Sequence, residues 1–177
     1  MNNKYYMSNF NTHVFITASD PTSTAAALTG ELDSLNSCTG GDIQTQINEA
    51  YHIDGEGWAD KTPTTRNVND IEISFDRQGG TAYTAAGTDT YSVLRNWIEN
   101  SPLTHKNLVR VIKRDNSSTY ELTYYDVVIS NLKDGDFDSN GIQQAVATFA
   151  VSGNRKTAYV TRSQDGTFSW GTTAPSP

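Results

Sequence analysis

One stretch of this chain has the residue types and spacing for metal chemistry: Asp134-Gly135-Asp136-Phe137-Asp138-Ser139-Asn140-Gly141. Alternating carboxylates and an amide can gather oxygens around a hard cation. Counted from Asp136, positions 1, 3, 5 and 6 of a calcium loop are Asp136, Asp138, Asn140 and Gly141, as an EF-hand requires. Position 12, which should be a bidentate glutamate, is Ala147. The residues that follow also alternate like a strand, where an EF-hand needs a helix. The expectation is an acidic turn between strands, with Asp134, Asp136, Asp138 and Asn140 as the one metal-ligand candidate.

Other reactive groups are isolated. The histidines, His13, His52 and His105, have none of the spacings that hold a metal. Cys38 is the single cysteine, so no disulfide can form within the chain, which suits an intracellular origin. No base or electropositive neighbour is visible in the sequence to activate its thiol. There is no G-x-S-x-G elbow, no phosphate-binding glycine loop and no C-x-x-C. The 20 Asp and Glu residues allow many carboxylate pairs and single out none. The reading is no catalysis, no cofactor and no cofactor-binding residue. Trp58, Tyr83, Tyr125 and Trp170 could stack on sugar rings if exposed, which keeps a carbohydrate-binding β-sandwich module as an alternative.

The elements that must position these residues are mostly strands. Residues 13–17 (HVFIT) form the first, and residues 25–32 a weaker one rich in small side chains. The clearest is 70–76, DIEISFD, where Ile71, Ile73 and Phe75 point to one side and Glu72, Ser74 and Asp76 to the other. One side is buried and one wet. Residues 108–113 and 119–129 read as a hairpin turning at Asn116-Ser117-Ser118. After the loop 133–141, residues 142–151 form a strand with Ala147, Phe149 and Val151 on one face; Gly153-Asn154 then turns the chain into a last strand, 157–161. A single amphipathic helix starts at Thr88 or Asp89 and presents Tyr91, Leu94, Trp97 and Ile98 on one stripe, ending before Pro102.

Between the early strands and DIEISFD lies a polar insertion, residues 40–67. Its sparse apolar anchors are Ile43, Ile47, Tyr51, Ile53 and Trp58. Alternation over 43–53 predicts a short protruding hairpin, and a loop this long in a compact domain is usually functional or disordered. Residues 1–11 and 171–177 read as flexible arms, the first without the continuous apolar core of a secretory signal. No apolar run approaches the roughly 20 residues of a membrane span. With no linker or repeat in view, residues 1–177 read as one domain. The net charge is −7, so the chain lacks the basic footprint of a protein that grips phosphates.

The order of elements resembles the tail tube (major tail) proteins of tailed bacteriophages. The resemblance is carried by Ala27-Leu28-Thr29-Gly30-Glu31-Leu32 running into the 40–67 insertion, then DIEISFD, the helix TDTYSVLRNWIEN, and the late segment SNLKDGDFDSNGIQQAVATFAVSG. It implies a mainly β fold, a β-sandwich or half-barrel of antiparallel sheets with one flanking helix. It further implies a structural subunit whose six copies join edge to edge into rings, stacked through the insertion into a tube. Such a tube is assembled in the host bacterial cytoplasm and becomes the virion tail. Its bore conducts DNA without holding it, and its other partners are tape-measure, tail-terminator and baseplate proteins. Glu72 and Asp76 are then the candidates for the lumen, and Ile43, Ile47, Tyr51, Ile53 and Trp58 for ring stacking. The tubes of phage-tail-like bacteriocins and type VI secretion systems share this implied architecture.

Overall fold

The computed structural model describes residues 12–18, 28, 30–51, 59–77, 89–113, 119–135, 143–162 and 168–171. In chain order the elements are β1 (Thr12–Thr17), β2 (Leu35–Gly40), β3 (Ile43–Tyr51), β4 (Ala59–Val68), β5 (Ile71–Asp76), α1 (Thr90–Asn100), β6 (Lys106–Lys113), β7 (Thr119–Asp134), β8 (Gln144–Arg162) and β9 (Phe168–Gly171). Seven strands form a curled antiparallel half-barrel in the order β1-β6-β7-β8-β5-β2, with β9 on the far part of β8. β3 and β4 pair only with each other among the described residues.

The alternation in DIEISFD is realised in full. Ile71, Ile73 and Phe75 are completely buried, while Glu72 is exposed and Ser74 and Asp76 are half-buried. Burying side chains of this size stabilises the fold by about 1.5–3 kcal/mol each. Across the sheet, Ile71, Ile73 and Phe75 lie opposite Phe149, Ala147 and Ala145. These alanines share the main core with Tyr91, Leu94 and Trp97 of α1. Asp89 caps that helix by accepting from the Ser92 amide, and its buried side carries Tyr91, Leu94 and Trp97. Trp97 meets the Phe149 ring at 5.9 Å, and its Nε1 donates to the Thr104 carbonyl.

A second core lies on the opposite side of the sheet. Phe15, Val109, Val111, Tyr120, Leu122, Tyr124, Val160 and Phe168 cluster there. Rings of Phe15 and Tyr120 meet Phe168 edge-on. Leu28 donates its amide to the Phe168 carbonyl, Ile16 to Gly30, and Leu32 to Val14, so Leu28 is tied to β9 beside the second core and Gly30 and Leu32 to β1.

The two cores meet at an irregularity. Tyr124 faces Lys156 and Asp126 faces Ser152, so Gly153, Asn154 and Arg155 together oppose only Tyr125. Gly153 takes φ 84°, a left-handed value that favours glycine, and an added Cβ there would meet nothing. The expected turn at Gly153-Asn154 is therefore a bulge. Residues 157–161 are no separate strand but the continuation of β8. The ladder is kept because both halves of β8 still have β7 as neighbour.

Three further expectations change. Of the strand expected at 25–32, the described part is only an isolated bridge from Glu31 to Phe15. β2 and β9 are additional strands. The insertion contains not a short hairpin within 43–53 but a long one, with β3 returning as β4 through register pairs from Ile43–Val68 to Tyr51–Ala59. The arm 1–11, the turn at 116–118 and residues 172–177 of the tail lie outside the described residues.

Candidate assembly surfaces

The polar face of β5 extends across four strands. Cross-strand registers place Thr39, Glu72, Thr148 and Asn131 in one row, and Ser37, Ser74, Val146 and Lys133 in the next; Asp76 and Gln144 begin a third. Most of these side chains are short, and several bond within the sheet. Ser37 Oγ lies 2.7 Å from Ser74 Oγ, Ser130 Oγ donates to the Thr148 carbonyl, and Asn36 Nδ2 donates to Asp76 Oδ1 at 2.6 Å. The result is a smooth hydroxyl-rich surface bearing two carboxylates, Glu72 and Asp76, and one ammonium, Lys133. Sequence reasoning found the carboxylates from the β5 alternation. It missed Lys133, which was assigned to a loop and lies within β7.

This four-stranded layer has two open edges. β2 pairs with β5 on one side and with no strand on the other among the described residues. β7 pairs with β6 only as far as Val127, so residues 128–134 have β8 as their one strand partner among the described residues. Unpaired edges are ready templates for another strand.

Beside β2, a cleft of about 340 Å³ is lined by Thr12, Val14 and residues 35–39, including Cys38. Burial pushes the Cys38 thiol up, and the nearby Arg110 charge only partly offsets this. A protonated, shielded thiol reacts slowly. Alkylation of the folded chain at pH 8 should therefore be at least about tenfold slower than in urea. Equal rates would show that Cys38 is neither buried nor perturbed.

The β3–β4 hairpin is the third surface. Residues 42–49 and 61–67 are all exposed, including Ile43 at 49% and Ile47 at 55%. A Glu49–Lys61 ion pair of 3.0 Å joins its strands. At its root, Gly40 and Gly41 take φ 86° and 77°. Arg110 donates to the Gly40 carbonyl at 2.6 Å and to Tyr125 Oη at 3.0 Å, and that hydroxyl donates to the Gly41 carbonyl at 3.3 Å. Of the other stacking candidates, Tyr51 is placed by its backbone at the end of β3, while Ile53 and Trp58 lie outside the described residues.

The remaining candidates separate. Asp134 ends β7 and pairs with Arg77 at 3.5 Å, and Arg77 lies 3.8 Å over the Tyr91 ring. Burial, with the Asp134 hydrogen bond, pushes the Tyr91 phenol up. Asp136, Asp138 and Asn140 lie outside the described residues, among which no group of metal-ligating side chains occurs. His13 pairs with Glu31, and His105 with Asp126. Tyr125 is 2% exposed, so it is no platform for a sugar. Tyr83 lies outside the described residues, and Trp170 is placed by its backbone alone.

No family model matches the chain, and no curated protein does. Solved structures do. The chain is similar to the sheath/tube terminator of the extracellular contractile injection system PVC in its extended state, with a TM-score of 0.62, 17% identity, and coverage of 88% of this chain and 98% of that one. It is similar to the SPP1 tail tube, with a TM-score of 0.56, 13% identity, and coverage of 86% and 78%. It is also similar to a chain in the C6-symmetric tail of an empty gene transfer agent particle, with a TM-score of 0.51, 10% identity, and coverage of 81% and 93%. These matches are to structural parts of particles, not to enzymes. At such identities the likeness is one of fold, and the chain has the fold shared by tube and tube-terminator proteins of phage tails and contractile injection systems.

Proposed function

We propose that the chain is a structural tube subunit of a virion tail. Its whole length acts as one tube domain, with no catalytic step and no cofactor. The observation that carries this reading is the four-stranded layer β2-β5-β8-β7, which has a smooth polar face and two open edges. Joining the β2 edge of one copy to residues 128–134 of the next satisfies both edges and continues the sheet. Repeated around an axis this closes a barrel. A ring of six is the closure supported by the sixfold symmetry of the gene transfer agent tail. Rings stack through the exposed β3–β4 hairpin in a head-to-tail contact, which generates an open filament.

The polar layer then faces the bore, with Glu72 and Asp76 lining it as sequence reasoning anticipated and Lys133 beside them. Two carboxylates against one ammonium leave a small negative excess, so DNA passing through meets few groups that hold phosphate. Terminator, baseplate and tape-measure proteins are the partners at the tube's ends and within it. A second reading, favoured by the likeness to the PVC terminator, makes the chain the tube or terminator of a contractile injection particle, with the same ring.

Negative-stain electron microscopy and light scattering of the concentrated chain test the class: rings or hollow tubes of uniform width support it. Disulfide trapping tests the edges. With Cys38→Ser, cysteines at Thr39 and at Asn131 or Lys133 in turn should give an oxidised ladder up to six copies. Tubes that form while neither pair cross-links would sink the edge assignment. A strict monomer at all concentrations that binds glycans would replace the reading by a carbohydrate-binding module.

A further inference from the structure

We propose that Arg110 and Tyr125 are positioning residues that aim the β3–β4 hairpin before any second copy is met. The inference rests on the reading of that hairpin as the stacking arm, and deepens it. An arm that leaves the body through two glycines should swing, because glycine adopts both signs of φ at little cost. Here Gly40 and Gly41 are consecutive and both left-handed, so the root has the composition of a hinge.

The geometry makes it a fixed mount. The Gly40 carbonyl is held by Arg110 Nη2 and the Gly41 carbonyl by Tyr125 Oη, and the two side chains bond to each other. Gly41 is itself buried, and a Cβ there would collide with Arg110 Nη2 and Tyr125 Oη. The other strand of the root is tied in as well, since Gly41 donates its amide to Asn69 and Asn69 donates its own to Asp42. Both clamp residues come from the central strands of the sheet. Arg110 lies on β6 and Tyr125 on β7, opposite the β8 bulge. Tyr125 is 2% exposed, with its ring packed in the main core. A guanidinium suits this place because its Nη2 carries two N–H groups, one for the Gly40 carbonyl and one for Tyr125 Oη.

A pre-aimed arm loses less freedom when it docks, so rings stack at lower concentration than they would with a swinging arm. Tyr125→Phe is the informative variant, because it keeps the ring and removes only the hydroxyl that links Arg110 to Gly41. The direct measurement is a spin-label distance in the monomer between Thr45→Cys on the hairpin and Thr157→Cys on β8, in the Cys38→Ser background. A narrow distribution is expected for the parent and a clearly broader one for Tyr125→Phe. Amide exchange at Gly41 and Asn69 should speed up roughly tenfold, the effect of losing about one hydrogen bond, while β7 and β8 amides keep their rates. Arg110→Met, which keeps the stem but removes both N–H donors, should broaden the distribution as well. Unchanged widths and exchange in both variants would overturn the clamp and leave hairpin stacking untouched. If the monomer measurements come out as expected but hairpin removal does not affect tube growth, the clamp stands and the stacking role falls.

Discussion

Replacing residues 44–67 by a two-residue Asn-Gly turn is expected to leave a folded subunit that no longer grows into tubes. Ile43 and Val68 are direct cross-strand partners, so a tight hairpin turn can join them without moving either. Of the residues removed, 44–49 and 61–67 are all exposed, so the cores lose nothing from these. Val68, 5% exposed and part of the main core, is kept. Circular dichroism and the urea midpoint should therefore stay near those of the parent. Stacking should suffer severely. Losing an interface worth even about 3 kcal/mol per subunit raises the concentration needed for growth by roughly 100-fold. Sedimentation and electron microscopy read this directly: single rings are compatible with the assignment, whereas tubes of normal length would remove the hairpin from the stacking contact.

Trp97→Ala carries the largest expected cost to stability, about 3–5 kcal/mol, against total stabilities of about 5–15 kcal/mol for domains of this kind. Trp97 is 2% exposed and is among the largest fully buried side chains described. It fills the space between α1 and the sheet at Phe149. Its Nε1 bond to Thr104 holds the turn after the helix, and its ring underlies the Lys106 ammonium at 4.6 Å. Burial pushes that ammonium's pKa down. The alanine variant therefore loses the helix anchor and leaves a cavity beside Phe149. Trp97→Phe should recover a large part of the loss, since it restores ring packing but not the indole N–H. Urea unfolding at pH 7 checks both. A loss below about 1 kcal/mol for the alanine variant would mean that α1 is not what closes the main core.

Much of this architecture is legible in the chain because a half-buried strand and an amphipathic helix write their burial directly into residue order. DIEISFD, IQQAVATFAV and the 91–98 stripe each show which side chains share a face, and the structure buries Ile71, Ile73, Phe75, Ala147, Phe149, Tyr91, Leu94 and Trp97, with Val151 and Ile98 half-buried. β2 was not legible. As a polar edge strand with a register shift between Leu35 and Ser37, it keeps no clean alternation. The Gly153 bulge read as a turn because glycine followed by asparagine signals either. What separates them is whether β7 continues alongside, a long-range fact absent from the local sequence.

The candidate surfaces divide the same way. Glu72 and Asp76 could be placed on a wet face from alternation within one strand. Lys133, Thr148 and Ser37 join that face only through cross-strand registers. The acidic run around Asp134 looked like a ligand set in one dimension, yet Asp134 is held by Arg77, more than fifty residues away in sequence. Likewise nothing in LVRVIK or TYYDVV links Arg110 and Tyr125 to the insertion, and only folding brings them against Gly40 and Gly41. By itself the sequence determined strand faces, the helix over 90–100 and the existence of a polar insertion, because period and burial are local properties. The tertiary structure alone decided which edges stay open, which residues share the polar face and what holds the hairpin, because each depends on register between strands far apart in the chain.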